Sequence, residues 1–127
     1  MRAATRRPAV DSLNIVAVFA LLLSATLPAH ALEASPSAIL TNPTRFDGQL
    51  VTMRGTIGNL RETVSRRGNP YYTFDLSDGK RAIRVFSFGT AECRIGSATV
   101  EGTFQKVKQV GRLTFHNEVT ASQITCR

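Results

Sequence analysis

Apolar and polar positions alternate most regularly between Asn69 and Gly89. Tyr72, Phe74 and Leu76 share one parity, and Tyr71, Thr73 and Asp75 share the other. Successive side chains of a strand point to opposite faces, so this run predicts a strand with an apolar side and a mixed side. Ile83 and Val85 alternate in the same way with Arg84 and Phe86. Between the two runs lies Ser77-Asp78-Gly79-Lys80, and Asp-Gly between alternating runs predicts a tight hairpin. One face of this hairpin has the residues of a core. The other combines aromatic rings with positive charge.

The same pattern, weaker, recurs on both sides. Gln49 to Leu60 predicts a first strand, with Val51, Met53 and Ile57 opposed to Thr52, Arg54 and Thr56, and with Gly55 and Gly58 as bends or bulges. Arg61 to Pro70 predicts a loop or a frayed hairpin end. Ala91 to Gly96 is too short for a full helix. Ser97 to Lys106 predicts a fourth strand, in which Ala98, Val100, Gly102 and Phe104 alternate with Thr99, Glu101 and Thr103. Lys106 to Arg112 predicts a turn region, and Leu113 to Cys126 a fifth strand. Leu113, Phe115, Val119 and Ala121 share a parity that shifts by one at Ile124 and Cys126, which predicts a bulge near Ser122. Upstream, Ser35-Pro36-Ser37 would cap a short helix through Ile39 and Leu40, ended by Asn42-Pro43. Phe46 is expected to pack down, and Asp47-Gly48 to turn the chain. Five strands, at most one short N-terminal helix and glycines at bend positions predict an all-β, five-stranded Greek-key barrel.

The N-terminus adds a targeting signal. Arg2, Arg6 and Arg7 precede an apolar run from Ile15 to Leu27, and Pro28 then leads to Ala29-His30-Ala31. This order predicts a secretory signal peptide over residues 1–31, a lead-in over 32–47 and the barrel domain over 48–127. The apolar run is shorter than the roughly 20 residues of a spanning helix, so no stable membrane insertion is expected after cleavage. Arg6-Arg7 leaves the general and twin-arginine routes both open. A periplasmic or secreted location follows. Residues 32–127 keep 13 of the 16 Lys and Arg and 8 of the 9 acids, a net charge of +5. That balance favours anionic partners and equally serves solubility. Cys93 and Cys126 both lie in this part, and an even count in an exported chain predicts one disulfide. A metal site would need more ligands, and no Cys-x-x-Cys is present.

Three segments carry a family resemblance. Phe46 to Ile57 resembles the first strand of OB-fold nucleic-acid-binding domains, which enters, alternates and bends at a glycine. Tyr72-Thr73-Phe74-Asp75-Leu76-Ser77-Asp78-Gly79 is similar to their second strand, with its F-x-L-x-D-G pattern, and Val100-Glu101-Gly102-Thr103-Phe104 resembles the fourth. The likeness covers most of Asp47 to Thr125 and lies at fold-determining positions. Related forms occur in anticodon-binding domains, single-strand-binding proteins and exported bacterial proteins. The chain departs from the pattern in its signal peptide, its cysteine pair and a near-missing helix between strands three and four.

The resemblance implies a site on the face of strands two and three, rimmed by the loops after strands one and four. Arg61, Arg66 and Arg67 fall in one loop, and Lys106, Lys108 and Arg112 in the other. Arg54, Tyr71, Thr73, Arg84 and Phe86 fall on the outward face between them. Aromatics in a positive groove hold single strands by stacking bases. The same residues also suit cross-strand packing on a wet sheet face. Two readings stay open: a module for single-stranded nucleic acid or another polyanion, and a structural module of the cell envelope that recognises protein, glycan or a small ligand. A nuclease would place acids and arginines around a metal, and no local cluster of that kind is present. His116 and Glu118 are expected on a wet strand face, Asp75 on an exposed face and Asp78 in the turn. With no phosphate-gripping glycine loop, nucleophile elbow or zinc motif, a non-enzymatic protein without cofactor or metal is expected.

Overall fold

A computed structural model describes residues 30–127. The expected signal peptide lies outside these residues but for its last two. Strands β1 (Leu32–Glu33), β2 (Leu50–Val64), β3 (Pro70–Ser77), β4 (Ala82–Phe88), β5 (Ser97–Val110) and β6 (Leu113–Cys126) are joined by two short helices, α1 (Pro36–Thr41) and α2 (Pro43–Phe46). The sheet runs β2–β3–β4–β6–β5 and returns to β2, which closes a five-stranded ring. The β4–β6 pairing is parallel and the others within the ring are antiparallel. This is the all-β, barrel-like Greek-key architecture expected from the alternation. β1 pairs in parallel with β2 at Val51 and Thr52.

The apolar parities point inward. Val51, Met53, Phe74, Leu76, Ile83, Val85, Val100, Phe104 and Val119 are buried together. Burial of a side chain of this size stabilises by about 1.5–3 kcal/mol, and this is what holds the register. Two glycines let the strands approach closely. A Cβ on Gly55 would stand 2.4 Å from the Ser77 carbonyl oxygen, and one on Gly102 would stand 2.3 Å from that of Thr120. The bulge near Ser122 is present: Glu101 pairs with Gln123 and Gly102 with Ala121, and the displaced Ser122 donates its hydroxyl to the Glu101 carbonyl at 3.1 Å. A second irregularity lies between Gly58 and Arg61, where Asn59 takes φ 52.

The β3–β4 hairpin closes as expected. Asp78 accepts the backbone N–H groups of Lys80 (2.9 Å) and Arg81 (3.0 Å), and Gly79 stands at φ 94. Its other oxygen accepts the backbone N–H of Ser37 at 2.9 Å, which ties the turn to α1. Ser35 caps α1 by accepting from the Ala38 N–H. Asn42-Pro43 ends α1, but the chain then forms α2, so the lead-in has two short helices where one was expected. Ile39 and Phe46 from these helices join the core. Cys93 and Cys126 form a disulfide between the β4–β5 connection and the end of β6, with Cα atoms 5.5 Å apart. No described helix is long and apolar enough to cross a membrane.

Of the stretches expected as loop and turn, half of Arg61 to Pro70 and most of Lys106 to Arg112 are strand. β2 continues to Val64, with Arg61 paired to Thr73 and Thr63 to Tyr71. β5 continues to Val110, with Val107 paired to His116 and Val110 to Leu113. Arg61, Lys106 and Lys108 therefore sit on strands. Both hairpins keep pairing past the end of the barrel, where no core lies beneath them. Apolar alternation records burial rather than backbone pairing, so K-V-K-Q-V-G-R reads as a turn in sequence.

Candidate ligand groove

The two hairpin arms enclose a groove of about 900 Å³ on the outer face of β3 and β4. Its floor follows from strand parity. Tyr71 stands opposite Phe88, and Thr73 opposite Phe86. The outward rings form one tier, with Tyr71 and Phe86 centroids 5.3 Å apart and tilted, and Phe86 and Phe88 5.0 Å apart edge to face. The β5–β6 arm bends over this tier. Asn117 takes φ 54, in the left-handed region that Asn enters more readily than most residues. Beside it, Asp47 accepts the Lys106 backbone N–H at 2.8 Å. Lys108 Nζ then lies 4.1 Å from the Phe86 ring centroid, and the Arg84 guanidinium 5.2 Å from that of Phe115.

Glu118 organises the wall of this groove. Expected on a wet face, it is instead 1% exposed. It pairs across the parallel β4–β6 ladder with Arg84 and lies beneath the bent arm. One carboxylate oxygen accepts from Arg84 Nε and the other from Lys108 Nζ, each at 2.8 Å. Lys108 also donates to Thr120 Oγ1 at 3.3 Å. A buried carboxylate needs such partners, because an unpaired charge out of water is expensive. The three charges sum to +1.

The remaining candidates divide by position. Arg66 and Arg112 line the groove, one from each arm. Arg61 and Thr73 line a second concavity of about 860 Å³ that shares Tyr71 and Arg84 with the groove, so the two form one strip across the face. Arg61, Arg66 and Arg112 make no ion pair among the described residues. Arg67 lies in the tip after β2 and lines neither concavity. Arg54 is placed 3.8 Å from Glu33, and Lys106 Nζ donates to Thr44 Oγ1 at 3.3 Å, so the structure does not bring these two to the groove. Arg94 pairs with Glu62 at the side of the second concavity.

Three apolar residues of the groove are not among the candidate positions, and a fourth, Leu113, has the parity of the buried Val119 yet lies in the open. Val64, Phe88, Val110 and Leu113 are 52–72% exposed and all line the groove. Phe88 has the parity of Phe86 and was legible as a third outward ring. The other three flank the arm tips, and their neighbours in space are set only by how the arms bend.

No family model matches the chain, and no curated protein matches it. Among solved structures it is similar to a protein described as an aspartyl-tRNA synthetase from Leishmania major Friedlin, with a TM-score of 0.56 and 15% identity. The match covers 91% of this chain and 26% of that one, so the chain spans about a quarter of that protein's length. At this identity the likeness is one of fold alone, and it agrees with the barrel topology.

Proposed function

We propose that the chain is an exported, non-enzymatic OB-fold module that holds single-stranded nucleic acid, or another polyanion with planar groups, along the groove face. The observation that carries this reading is the tier of Tyr71, Phe86 and Phe88 flanked by the unpaired Arg61, Arg66 and Arg112. Rings of this kind contribute about 1–3 kcal/mol per stacked base. Phe88 and Tyr71 offer the open ring surface, since Lys108 already covers Phe86. Phosphates neutralised by these three arginines on a single strand contribute about −2 to the log–log salt slope. Affinity for a 12-nucleotide oligothymidylate, measured by fluorescence anisotropy, should then fall by at least about twentyfold between 50 and 200 mM salt. Arg66→Ala with Arg112→Ala should reduce the slope by about 1.4. Absence of binding at both salt concentrations overturns the reading.

The exposed Val64, Phe88, Val110 and Leu113 favour a second reading, a partner-binding module of the cell envelope that takes protein, glycan or a small ligand. Binding of that kind survives Arg66→Ala with Arg67→Ala and weakens with Phe88→Ala, which a pull-down from envelope extract separates from the first. The disulfide supports an oxidising compartment. A mature mass beginning at Leu32 in the periplasmic or secreted fraction would establish export, and labelled DNA left intact with a divalent metal would support the non-enzymatic reading.

A further inference from the structure

Arg84 is held differently from the other cations of this face. It stands where the two concavities meet. Its Nε donates to Glu118, and its guanidinium plane lies beside the Phe115 ring. A guanidinium carries five N–H donors in a rigid fork, and Glu118 takes one of them. The terminal amino groups meet no acceptor among the described residues, and the side chain keeps 45% of its exposure. Glu118 in turn is immobilised by Lys108, whose ammonium is engaged by Glu118, Thr120 and the Phe86 ring and whose side chain is 16% exposed. Lys108 is thus a strut, and Arg84 is the one member of the network with donors turned to open space.

We infer that Arg84 is a preset anchor for one oxyanion group of the ligand, a phosphate or carboxylate, and that buried Glu118 is the residue that positions it. The chemistry is that of a forked donor meeting two oxygens of one anion. The network carries a net charge of +1 before the anion arrives, so binding neutralises it. A ligand that places its anion here passes from one concavity to the other across Arg84. The inference rests on the groove reading for the rest of the ligand, but concerns this subsite alone.

The test uses the full mature chain and two probes, inorganic phosphate and a 12-nucleotide oligothymidylate. Side-chain ¹H–¹⁵N spectra follow the Arg84 Nε and Nη groups, and anisotropy gives affinities at one salt concentration for variants shown by circular dichroism to be folded. The Arg84 Nη signals should move with both probes. Arg84→Lys keeps the charge and loses the fork, and should weaken oligonucleotide binding about tenfold with the salt slope unchanged. Glu118→Gln makes the network more positive by one charge. If Glu118 were only a counter-charge, affinity would rise; as a positioning residue, its loss should lower affinity. Oligonucleotide binding that is equal in wild type and Arg84→Lys, with Arg84 Nη unmoved, overturns the anchor and leaves the groove reading standing. Phosphate that moves Arg84 Nη while the oligonucleotide fails to bind upholds the anchor and overturns the nucleic-acid reading. Silence with both probes overturns both, and a gain of affinity in Glu118→Gln overturns the positioning role.

Discussion

Glu118→Ala removes the carboxylate on which two cations depend. Each lost hydrogen bond spans 2.8 Å and involves charged partners, a class worth about 1.5–3 kcal/mol. Breaking a fully buried pair costs about 3–5 kcal/mol, because the surviving charge is stranded. Here the two cations differ. The Arg84 side chain is half exposed and turns to water, so its share is small. The Lys108 side chain is largely covered, and its ammonium would keep only Thr120 and a ring face. The stranded lysine therefore dominates, and the expected loss is about 2–3 kcal/mol. In a domain near 100 residues that corresponds to roughly 10–20 °C in Tm. Urea unfolding followed by far-ultraviolet circular dichroism measures it directly. Lys108→Met keeps an apolar stem against Phe86 and removes the charge, so in the Glu118→Ala background it should recover at least about 1 kcal/mol. A Glu118→Ala loss below about 0.5 kcal/mol, or no coupling to Lys108→Met, would refute the reasoning: it would mean that the carboxylate is solvated and that the arm does not close over the face.

Gly102→Ala puts a Cβ 2.3 Å from the Thr120 carbonyl oxygen and 2.8 Å from the Ala121 Cα, both backbone atoms. The β5–β6 ladder must open, so a loss of about 3 kcal/mol in urea unfolding is expected, whereas Gly58→Ala, with nothing within 4 Å of its Cβ, should stay within about 1 kcal/mol. Hydrogen bonds from the Arg81 backbone, from Ser37 and from the Lys80 backbone hold Asp78 well below the usual carboxylate range. A depressed folded-state pKa stabilises above the unfolded value, near 4, and that stability is lost as pH falls below it. The urea midpoint of the wild type should therefore drop more steeply between pH 4 and 2 than that of Asp78→Asn. Reduction of Cys93–Cys126, which span 33 positions, should cost roughly 3–4 kcal/mol on the loop-closure account, read as a fall in Tm with added reductant.

The face assignments on β3 and β4 were legible for most residues, although Thr73, expected on the outward face, is buried. Tyr72, Phe74, Leu76, Ile83 and Val85 are buried, and Tyr71, Arg84 and Phe86 look outward onto the groove. So was the bulge at Ser122, because an extra residue shifts the apolar parity that follows it. Glu118 was not legible. Its parity on β6 is the outward one, and outward usually means wet; it is dry only because the arm bends over it at Asn117. Lys108 belongs to the same miss. In sequence it is one of three cations in a turn, and in space it is the partner of a buried acid.

By itself the amino-acid order determined which apolar residues of β3, β4 and the first half of β5 line the core, where the β3–β4 turn falls, which cysteines are available to pair and that five strands with bending glycines make a barrel. These are consequences of periodicity and local backbone chemistry, which act over a few residues. Only the tertiary structure decided where the arms end, that the β5–β6 arm bends over the outer face, and which charges are spent within the protein. Those outcomes depend on strands distant in the chain, Arg84 on β4 meeting Glu118 on β6 and Lys108 on β5. Whether a cation is free for a ligand is a property of its neighbours in space. That is why eight candidate cations in the chain resolve into a strut at Lys108, a fork at Arg84, three unpaired arginines along the groove face and three that lie away from it.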